Sequence, residues 1–247
     1  MNCTQRHAPP TDLLDEATLF LDLDGTLLEL VDRPDAVRVD DRLRELLVRL
    51  KQKLKGRLAI ISGRSLQQLD EIFGEFAADL AISGSHGCEH RWNGILARPN
   101  RPPALDEAAD RLRLFAQGRH GLIVEEKSFG VALHYRMVPG EAAEAQAVAI
   151  ALSAELELGL QHGKMMVELR VAGGDKGLAI QRLMDRSPMK GTKPVFAGDD
   201  VTDEPGFVMA RALGGHAILI GQPRPSASDF ALPSPMALRA WLEETLR

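Results

Sequence analysis

The sequence has few cysteines, few aromatic residues and no long apolar run, and each shortage excludes a class of protein. Only Cys3 and Cys88 occur among the 247 residues, so we exclude a disulfide scaffold and expect a cytoplasmic protein. No apolar run approaches the ~20 residues that a membrane-spanning helix needs. Residues 1–14 lack the pattern of a signal peptide. We therefore expect no membrane partner.

Aromatic content and charge also argue against a nucleic-acid partner. Two tryptophans and one tyrosine are too few to form a platform for stacked bases. The formal net charge of −5 disfavours general binding to a polyanion. An acidic chain can still bind a small anion where cations and backbone amides are gathered locally.

Short apolar runs alternate with amphipathic stretches over most of the chain. The apolar runs predict buried parallel strands over 18–23, 57–62, 80–83, 194–197 and 217–220. The amphipathic stretches predict helices over 40–55, 65–73, 176–184, 203–212 and 235–246. This alternation predicts an α/β fold with a Rossmann-like, doubly wound parallel sheet.

The middle of the chain breaks that alternation. It predicts a helix over 104–117, strands over 122–126 and 131–136, a helix over 141–156 and a strand over 165–170. Proline-rich residues 99–103 and glycine-containing residues 172–174 bracket this segment. We therefore expect an inserted α+β cap domain at 98–171, with 1–97 and 172–247 forming the core.

Two carboxylates stand at the end of the first predicted strand. Asp22 and Asp24 are two residues apart, so both project to one side while the chain stays extended. Gly25 then lets the backbone turn sharply and expose its amides. Carboxylates this close repel each other unless a cation intervenes, and Mg²⁺ prefers such oxygen ligands. An Asp-Gly pair is also an ordinary turn, and these residues alone do not decide between the two interpretations.

Other predicted strands also end in polar residues. Ser62 is followed by Gly63-Arg64, and the run 194–197 leads into Asp199 and then Asp203. Sites in open α/β sheets form at the carboxyl ends of strands, so we expect these groups to meet. Lys176 would add a cation at a helix start that already attracts anions. Taken singly, it is typical of a solvated surface lysine.

Together these elements resemble the motifs of the haloacid-dehalogenase-like (HAD) phosphatases. Residues 21–27, Leu-Asp-Leu-Asp-Gly-Thr-Leu, are similar to the first motif of that family. Ser62, Lys176 and Gly198-Asp199-Asp200 are similar to its second, third and fourth motifs, in the same order. The resemblance implies a HAD core with a cap, Mg²⁺ as cofactor and hydrolysis of a phosphate ester.

The resemblance also implies catalytic and metal-binding roles. Asp22 would attack phosphorus and form an aspartyl-phosphate. Asp24 would protonate the leaving oxygen and later take a proton from water. Asp22, the backbone carbonyl of Asp24 and Asp199 would hold Mg²⁺. Asp203 would act on the metal through water or by orienting Lys176.

The remaining core residues would contact the substrate. Ser62 and Lys176 would hold the phosphoryl oxygens, where charge spreads in the transition state. The other implied contacts of the core are Gly25, Thr26, Gly63, Arg64, His86 and Gly87.

The predicted strands of the insert carry polar residues. Glu168 and Arg170 alternate with Val167 and Leu169, which predicts one polar face of the sheet. Such a face is ordinary in a sheet that packs on one side only. It would equally suit a sugar, because carboxylates accept hydrogen bonds from hydroxyls and basic groups donate them.

Several stretches resemble the trehalose-6-phosphate phosphatases in particular. Residues 83–89 are similar to their Gly-x-His-Gly-x-Glu signature, and 125–128, 134–136, 163–170, 175–177 and 198–207 are similar to further motifs. The resemblance implies trehalose 6-phosphate as substrate. Its distal glucose would be contacted by Glu125, Lys127, Arg136, Lys164 and Glu168. Val171 departs from the family, in which many members have proline there.

The motifs leave neighbouring functions open. A phosphatase for sucrose phosphate, mannosyl-phosphoglycerate or another phosphosugar would share the same core chemistry. A non-catalytic phosphosugar-binding module would need neither a nucleophile nor an acid, so Asp22 and Asp24 argue against it. A functional link to a trehalose-phosphate synthase also stays open.

Overall fold

The protein is described by a computed structural model over residues 6–30, 38–163, 165–171 and 174–247. The chain divides into two compact units, one of residues 1–98 with 175–247 and the other of residues 99–174. The smaller unit occupies the stretch in which the sequence departs from strand–helix alternation. The expected α/β fold class is confirmed, with corrections at individual strands.

The larger unit is built on one sheet. Its strands are β1 (Ala17–Leu21), β2 (Leu58–Ile61), β3 (Ala81–Gly84), β4 (Glu89–Trp92), β5 (Ile95–Ala97), β10 (Lys193–Gly198), β11 (His216–Ile220) and β12 (Phe230–Leu232). They pair in the order β12-β11-β10-β1-β2-β3-β4-β5. Pairing is parallel from β12 to β3 and antiparallel for the last two strands. Because β1 lies between β10 and β2, the carboxyl ends of these three strands meet at one edge.

Helices cover both faces of this sheet. They are α1 (Asp41–Lys53), α2 (Leu66–Phe73), α5 (Lys176–Met184), α6 (Glu204–Ala212) and α7 (Pro235–Thr245). Leu19 and Leu21 belong to an apolar layer with α1, α2 and α7, whereas Phe20 and Phe196 belong to a layer with α5 and α6. Both sides of β1 are therefore buried, which explains its continuous apolar run. In the described ranges, no helix has the length and apolar character needed to cross a membrane.

Side-chain caps begin the helices α2 and α5. Ser65 accepts from the Gln68 amide and the Gln68 side chain accepts from the Ser65 amide, forming a capping box at the start of α2. The Asp175 carboxylate accepts from the Leu178 amide at 2.8 Å and starts α5. These caps place the first turn of each helix next to the sheet edge at which the polar residues gather.

Three strands of the larger unit were missed by the sequence-based prediction. β4 and β5 form a hairpin around Asn93-Gly94, whose φ angles are 47° and 75°. β4 reads Glu-His-Arg-Trp and so carries no apolar run. The Asn-Gly pair is a strong hairpin signal that could have found both strands. β12 has only three residues and lies at the opposite sheet edge.

The smaller unit is an antiparallel sheet packed by two helices. It contains α3 (Pro103–Ala116), β6 (Ile123–Lys127), β7 (Gly130–His134), α4 (Ala142–Glu155), β8 (Gly159–Gly163) and β9 (Met166–Arg170). The strand order is β6-β7-β9-β8. β8, Gly-Leu-Gln-His-Gly, was missed because it has a single large apolar residue.

The two faces of this small sheet differ in polarity. Val131, Leu133, Val167 and Leu169 are buried in the apolar core of the unit. The intervening residues lie on the other face, because side chains alternate along a strand. On that face Glu125, Ala132, Glu168 and Gln161 stand in one row across the four strands. We call this surface the polar sheet face.

Candidate active site

Asp22 follows β1 directly and is held at the carboxyl edge of the large sheet. Its amide donates to the Ala197 carbonyl at 3.0 Å, which continues the pairing of β1 with β10. The Lys176 ammonium donates to Asp22 Oδ1 at 2.7 Å. Both side chains are buried, so the contact is shielded from water. Two residues 154 positions apart are thereby joined as an ion pair.

Lys176 also binds Asp203, which organises the loop after β10. The ammonium donates to Asp203 Oδ1 at 2.5 Å. Asp203 Oδ2 accepts from the amides of Asp199 and Asp200, each at 2.9 Å. Asp203 is therefore satisfied on both oxygens although its side chain is fully buried. One carboxylate thus fixes the lysine and the loop together.

Asp22, Asp199 and Asp203 form an acidic group that could hold a metal ion. One carboxylate oxygen from each lies within 4.8 Å of the others. Thr26 Oγ donates to Asp199 Oδ1 at 3.1 Å and orients it. Gly25 has a φ of 82°, and a Cβ there would lie 2.2 Å from Asp199 Oδ2. Glycine is therefore required for Asp199 to approach the turn this closely.

Burial and mutual repulsion govern the charges of this group. Burial raises the pKa of Asp22 well above its ordinary value, and the Asp203 and Asp199 charges add to the rise while Lys176 opposes it. Burial, together with the Asp203 charge, raises the pKa of Asp199 to about 6. Burial alone would lower the pKa of Lys176, but the Asp22 and Asp203 carboxylates outweigh it and raise that pKa. One ammonium thus faces three carboxylates, an imbalance that a divalent cation would offset.

The Asp24 side chain lies outside this acidic group. Its two oxygens accept from Arg64 Nε at 2.6 Å and from an Arg64 terminal nitrogen at 2.8 Å. Ser62 is buried, and its hydroxyl accepts from the Arg64 amide at 3.2 Å. The stretch 62–64 after β2 is therefore tied to the stretch 22–24 after β1 by a bidentate ion pair.

Residues 84–89 form a loop that packs on the stretch 62–64 after β2. The His86 amide donates to the Ser62 carbonyl at 3.1 Å. A Cβ on Gly63 would lie 2.6 Å from the His86 ring. A Cβ on Gly87 would lie 2.6 Å from the Asp175 carbonyl, next to the start of α5. The two glycines therefore allow the His86 loop to contact both the stretch after β2 and the lysine-bearing helix.

Glu89 supports this loop, a role that the sequence alone did not decide. It is buried, and its Oε1 accepts from Ser85 Oγ at 2.6 Å and from the Leu66 amide at 3.4 Å. The carboxylate thus links the His86 loop to the first turn of α2. Arg182 of α5 donates to the Gly87 carbonyl at 3.0 Å and holds the same loop from the other side.

The polar sheet face of the smaller unit carries an ion pair and a histidine–carboxylate hydrogen bond. Lys127 Nζ donates to Glu168 Oε2 at 2.6 Å, and Glu168 is buried. The His134 ring hydrogen-bonds to Glu125 Oε2 at 2.8 Å. This bond lowers the pKa of Glu125, although burial opposes it. Glu125, Lys127 and Glu168 thus lie together, with His134 as an added member of the cluster.

The other two residues implied to contact sugar are Arg136 and Lys164. Arg136 is exposed in the turn after β7. Lys164 lies outside the described residues, as do Ala172 and Gly173. Arg170, also on the polar sheet face, donates to the Gly174 carbonyl at 2.7 Å.

The chain is similar in sequence to proteins of a known family. A model of the trehalose-phosphatase family matches residues 20–235. The chain is 40% identical over 235 residues to a probable trehalose-phosphate phosphatase of Sinorhizobium fredii, covering 92% of this chain and 86% of that protein. It is 37% identical over 227 residues to the trehalose-6-phosphate phosphatase of Escherichia coli, covering 91% and 84%.

A solved structure extends the likeness to the whole fold. That structure, of a trehalose-6-phosphate phosphatase related protein, has 25% identity and a TM-score of 0.76, and the match covers 91% of this chain and 95% of the other. The family match spans most of the chain, including both sides of the inserted unit. This chain therefore belongs to the trehalose-phosphatase family.

Proposed function

We propose that this protein is a Mg²⁺-dependent phosphatase that hydrolyses trehalose 6-phosphate through an aspartyl-phosphate on Asp22. The observation that carries the proposal is the convergence of Asp22, Lys176, Asp199 and Asp203 at one edge of the sheet. A buried carboxylate held beside a lysine and two further carboxylates suits phosphoryl transfer, which depends on positioning and charge stabilisation. The names of the relatives support the trehalose ester as substrate.

The donor set fits a hard divalent cation. All three members of the acidic group offer carboxylate oxygens, and Mg²⁺ prefers oxygen ligands. Asp22, Asp199 and the Asp24 carbonyl would hold the ion. Asp203 would act on the metal through water or by orienting Lys176. When bound, Mg²⁺ would offset the repulsion between Asp22 and the incoming phosphate.

The reaction would proceed in two displacements. An Asp22 oxygen attacks phosphorus as the bond from phosphorus to the sugar oxygen breaks. The leaving sugar oxygen takes a proton from Asp24. Water then attacks phosphorus and frees the Asp22 carboxylate, while Asp24 accepts the proton from that water. Ser62 and Lys176 hold the phosphoryl oxygens. Arg64 engages both Asp24 oxygens, so Asp24 must release at least one of these contacts and take up a proton before it can act as the acid.

The polar sheet face would recognise the part of the substrate that does not react. Glu125 and Glu168 offer acceptors and Lys127 offers a donor, which matches the hydroxyls of a distal glucose. A Cβ on Gly130 would lie 2.5 Å from Glu168 Oε1, so glycine at this position lets the Glu168 carboxylate lie close against β7. The link to a trehalose-phosphate synthase and the cytoplasmic location stay predictions.

The test is phosphate release from a panel of phosphosugars with Mg²⁺ or with a chelator. We expect preferred turnover of trehalose 6-phosphate over sucrose phosphate, mannosyl-phosphoglycerate and glucose 6-phosphate, with reversible loss on chelation. Asp22→Asn should lower turnover by ~10³-fold or more, because the amide cannot act as the nucleophile. Asp41→Asn, the same change at an exposed position on α1, is the matched control.

Three outcomes would contradict parts of the proposal. Near-normal turnover by Asp22→Asn would exclude the aspartyl-phosphate. Equal turnover of simple hexose phosphates would exclude the trehalose ester as the specific substrate. Tight binding of trehalose 6-phosphate without release of phosphate in Mg²⁺ would instead identify a binding module.

A further inference from the structure

Arg224, in the loop after β11, contacts the backbone of the proposed metal-binding loop. We call residues 199–204 the acidic loop. Arg224 Nε donates to the Asp199 carbonyl at 3.3 Å, and one terminal nitrogen donates to the Asp200 carbonyl at 2.6 Å. The other terminal nitrogen contacts Glu204 and the Pro225 carbonyl. All three guanidinium nitrogens are therefore engaged by the protein itself.

These contacts fall on the same peptide groups that Asp203 holds from inside. The peptide between Asp199 and Asp200 donates its N–H to Asp203 Oδ2 and accepts from Arg224 on its carbonyl. The Asp200 carbonyl also accepts from the Asp203 amide at 3.0 Å. The acidic loop is thus fixed between a buried carboxylate on one side and Arg224 on the other.

The loop that carries Arg224 is itself anchored. Arg6 donates to the carbonyls of Arg224, Ser226 and Ser228, at 3.3, 2.6 and 2.8 Å. Glu204 Oε2 accepts from the Ala227 amide at 2.8 Å. The loop that carries Arg224 is therefore fixed by several hydrogen bonds, so Arg224 can hold the acidic loop in place.

We propose that Arg224 is a positioning residue of the metal site, which holds the acidic loop in the shape that lets Asp199 bind the divalent cation. The inference rests on the proposed function, since it assumes that Asp199 is a metal ligand. Arg224 acts through backbone carbonyls and is not itself a catalytic residue. Partners behind metal ligands commonly change metal affinity when they are replaced.

The direction in which metal affinity changes when Arg224 is replaced distinguishes positioning of the loop from electrostatic repulsion of the metal. Arg224 is a cation near a proposed cation site, so removing its charge should strengthen metal binding if electrostatics alone mattered. If Arg224 positions the loop, its removal should weaken metal binding. The two roles therefore predict opposite changes.

The experiment is calorimetric titration of the full chain with Mg²⁺, without substrate. Arg224→Gln should weaken Mg²⁺ binding by about ten-fold. Arg224→Lys, which can still donate to a carbonyl, should recover part of the loss. The Mg²⁺ concentration for half-maximal phosphatase activity should rise by the same factor, with turnover at saturating Mg²⁺ nearly restored.

Arg211→Gln is the matched control. Arg211 donates to the Ala227 carbonyl at 3.1 Å and pairs with Asp229, so it holds the same loop without touching the acidic loop. Its Mg²⁺ affinity should match that of the parent. Unchanged or tighter Mg²⁺ binding by Arg224→Gln, or equal weakening in both variants, would overturn the proposal. If Arg224→Gln does not fold, Arg224→Lys takes its place, and unchanged or tighter Mg²⁺ binding by that variant would overturn the proposal.

A separate variant distinguishes this inference from the proposed function. Asp199→Asn should lose Mg²⁺ binding because it removes a ligand oxygen charge. If the parent binds no Mg²⁺, or if Asp199→Asn binds it like the parent, the metal site itself is wrong and the inference falls with it. If only the Arg224 variants behave like the parent, the inference alone is wrong.

Discussion

At the scale of single residues, the site concentrates more negative than positive charge in a buried place. Lys176 pairs with Asp22 and Asp203, and Asp199 completes the acidic group. Removing carboxylates from water costs free energy unless partners compensate. One lysine compensates only part of three carboxylates. The metal-free site is therefore expected to be strained electrostatically and to gain stability when a cation binds.

Asp199 offers a test of that strain through pH. Its pKa is raised from 3.8 to about 6, so the folded, metal-free protein loses stability as pH rises through that range. Asp199→Asn removes the ionisation and should stabilise the metal-free protein at pH 7.5, by at most ~3 kcal/mol. The measurement is urea unfolding in chelator at pH 4 and pH 7.5.

The advantage of Asp199→Asn should vanish near pH 4, where the folded parent keeps its proton. Excess Mg²⁺ should reverse the order at pH 7.5, because a ligand stabilises only the form that binds it. Asp41→Asn, at an exposed site, should unfold like the parent throughout. An Asp199→Asn protein less stable than the parent in chelator at pH 7.5 would refute this account.

At the scale of elements, the site depends on loops that approach one another closely at glycines. Gly63 lies against the His86 ring, and Gly87 lies against the Asp175 carbonyl. Each close approach joins the end of one strand to a neighbouring loop or helix. A single added methyl group should therefore disturb the site more than it disturbs the fold.

Gly63→Ala tests this dependence. A Cβ at this position would lie 2.6 Å from His86 Cε1 and 2.7 Å from Nε2, so the imidazole must move. We expect kcat/KM for trehalose 6-phosphate to fall by ~10-fold, which corresponds to ~1.4 kcal/mol. Steady-state kinetics and thermal unfolding of each variant provide the measurement.

A double variant identifies the cause. In His86→Ala the ring is absent, so adding Gly63→Ala should have little further effect. Gly140→Ala is the matched control, because no atom lies within 4 Å of a Cβ built there. Additive losses in the double variant would show that Gly63 acts through something other than the His86 ring.

At the scale of the whole molecule, the two units would divide the work. The larger unit gathers the groups suited to phosphoryl transfer, and the smaller unit presents the polar sheet face. Lys127 and the buried Glu168 form an ion pair on that face. Substitutions there should change which substrate is used rather than whether phosphate is transferred.

Glu168→Gln tests this division. Loss of a charged acceptor should lower kcat/KM for trehalose 6-phosphate by ~10-fold or more, since hydrogen bonds to charged groups contribute ~1.5–3 kcal/mol. Activity toward p-nitrophenyl phosphate, which has no sugar, should stay near the parent value. Parallel kinetics with the two substrates measure the ratio.

Glu126→Gln is the control on the opposite side of β6, where the carboxylate pairs with arginines instead of facing the polar sheet face. It should leave both activities near those of the parent. Equal losses on both substrates in Glu168→Gln would mean that Glu168 supports folding or catalysis in general, and not recognition of the sugar.

Much of the fold follows from local sequence. The apolar runs of β1, β2, β10 and β11 predict central strands because strands covered on both faces must be apolar throughout. The strands β4 and β8 were missed because their residues are largely polar and their pairing comes from hairpins. Local pattern thus identifies strands with continuous apolar runs better than strands of mixed polarity.

The sequence by itself determined which residues end the central strands, and therefore that Asp22, Ser62 and Asp199 lie at one edge of the sheet. Only the tertiary structure decided their partners. Asp24 pairs with Arg64, 40 residues away, and Arg224 reaches the Asp199 carbonyl. Periodicity records which side of an element is buried, whereas these contacts depend on how closely distant loops pack, and no local pattern encodes that distance.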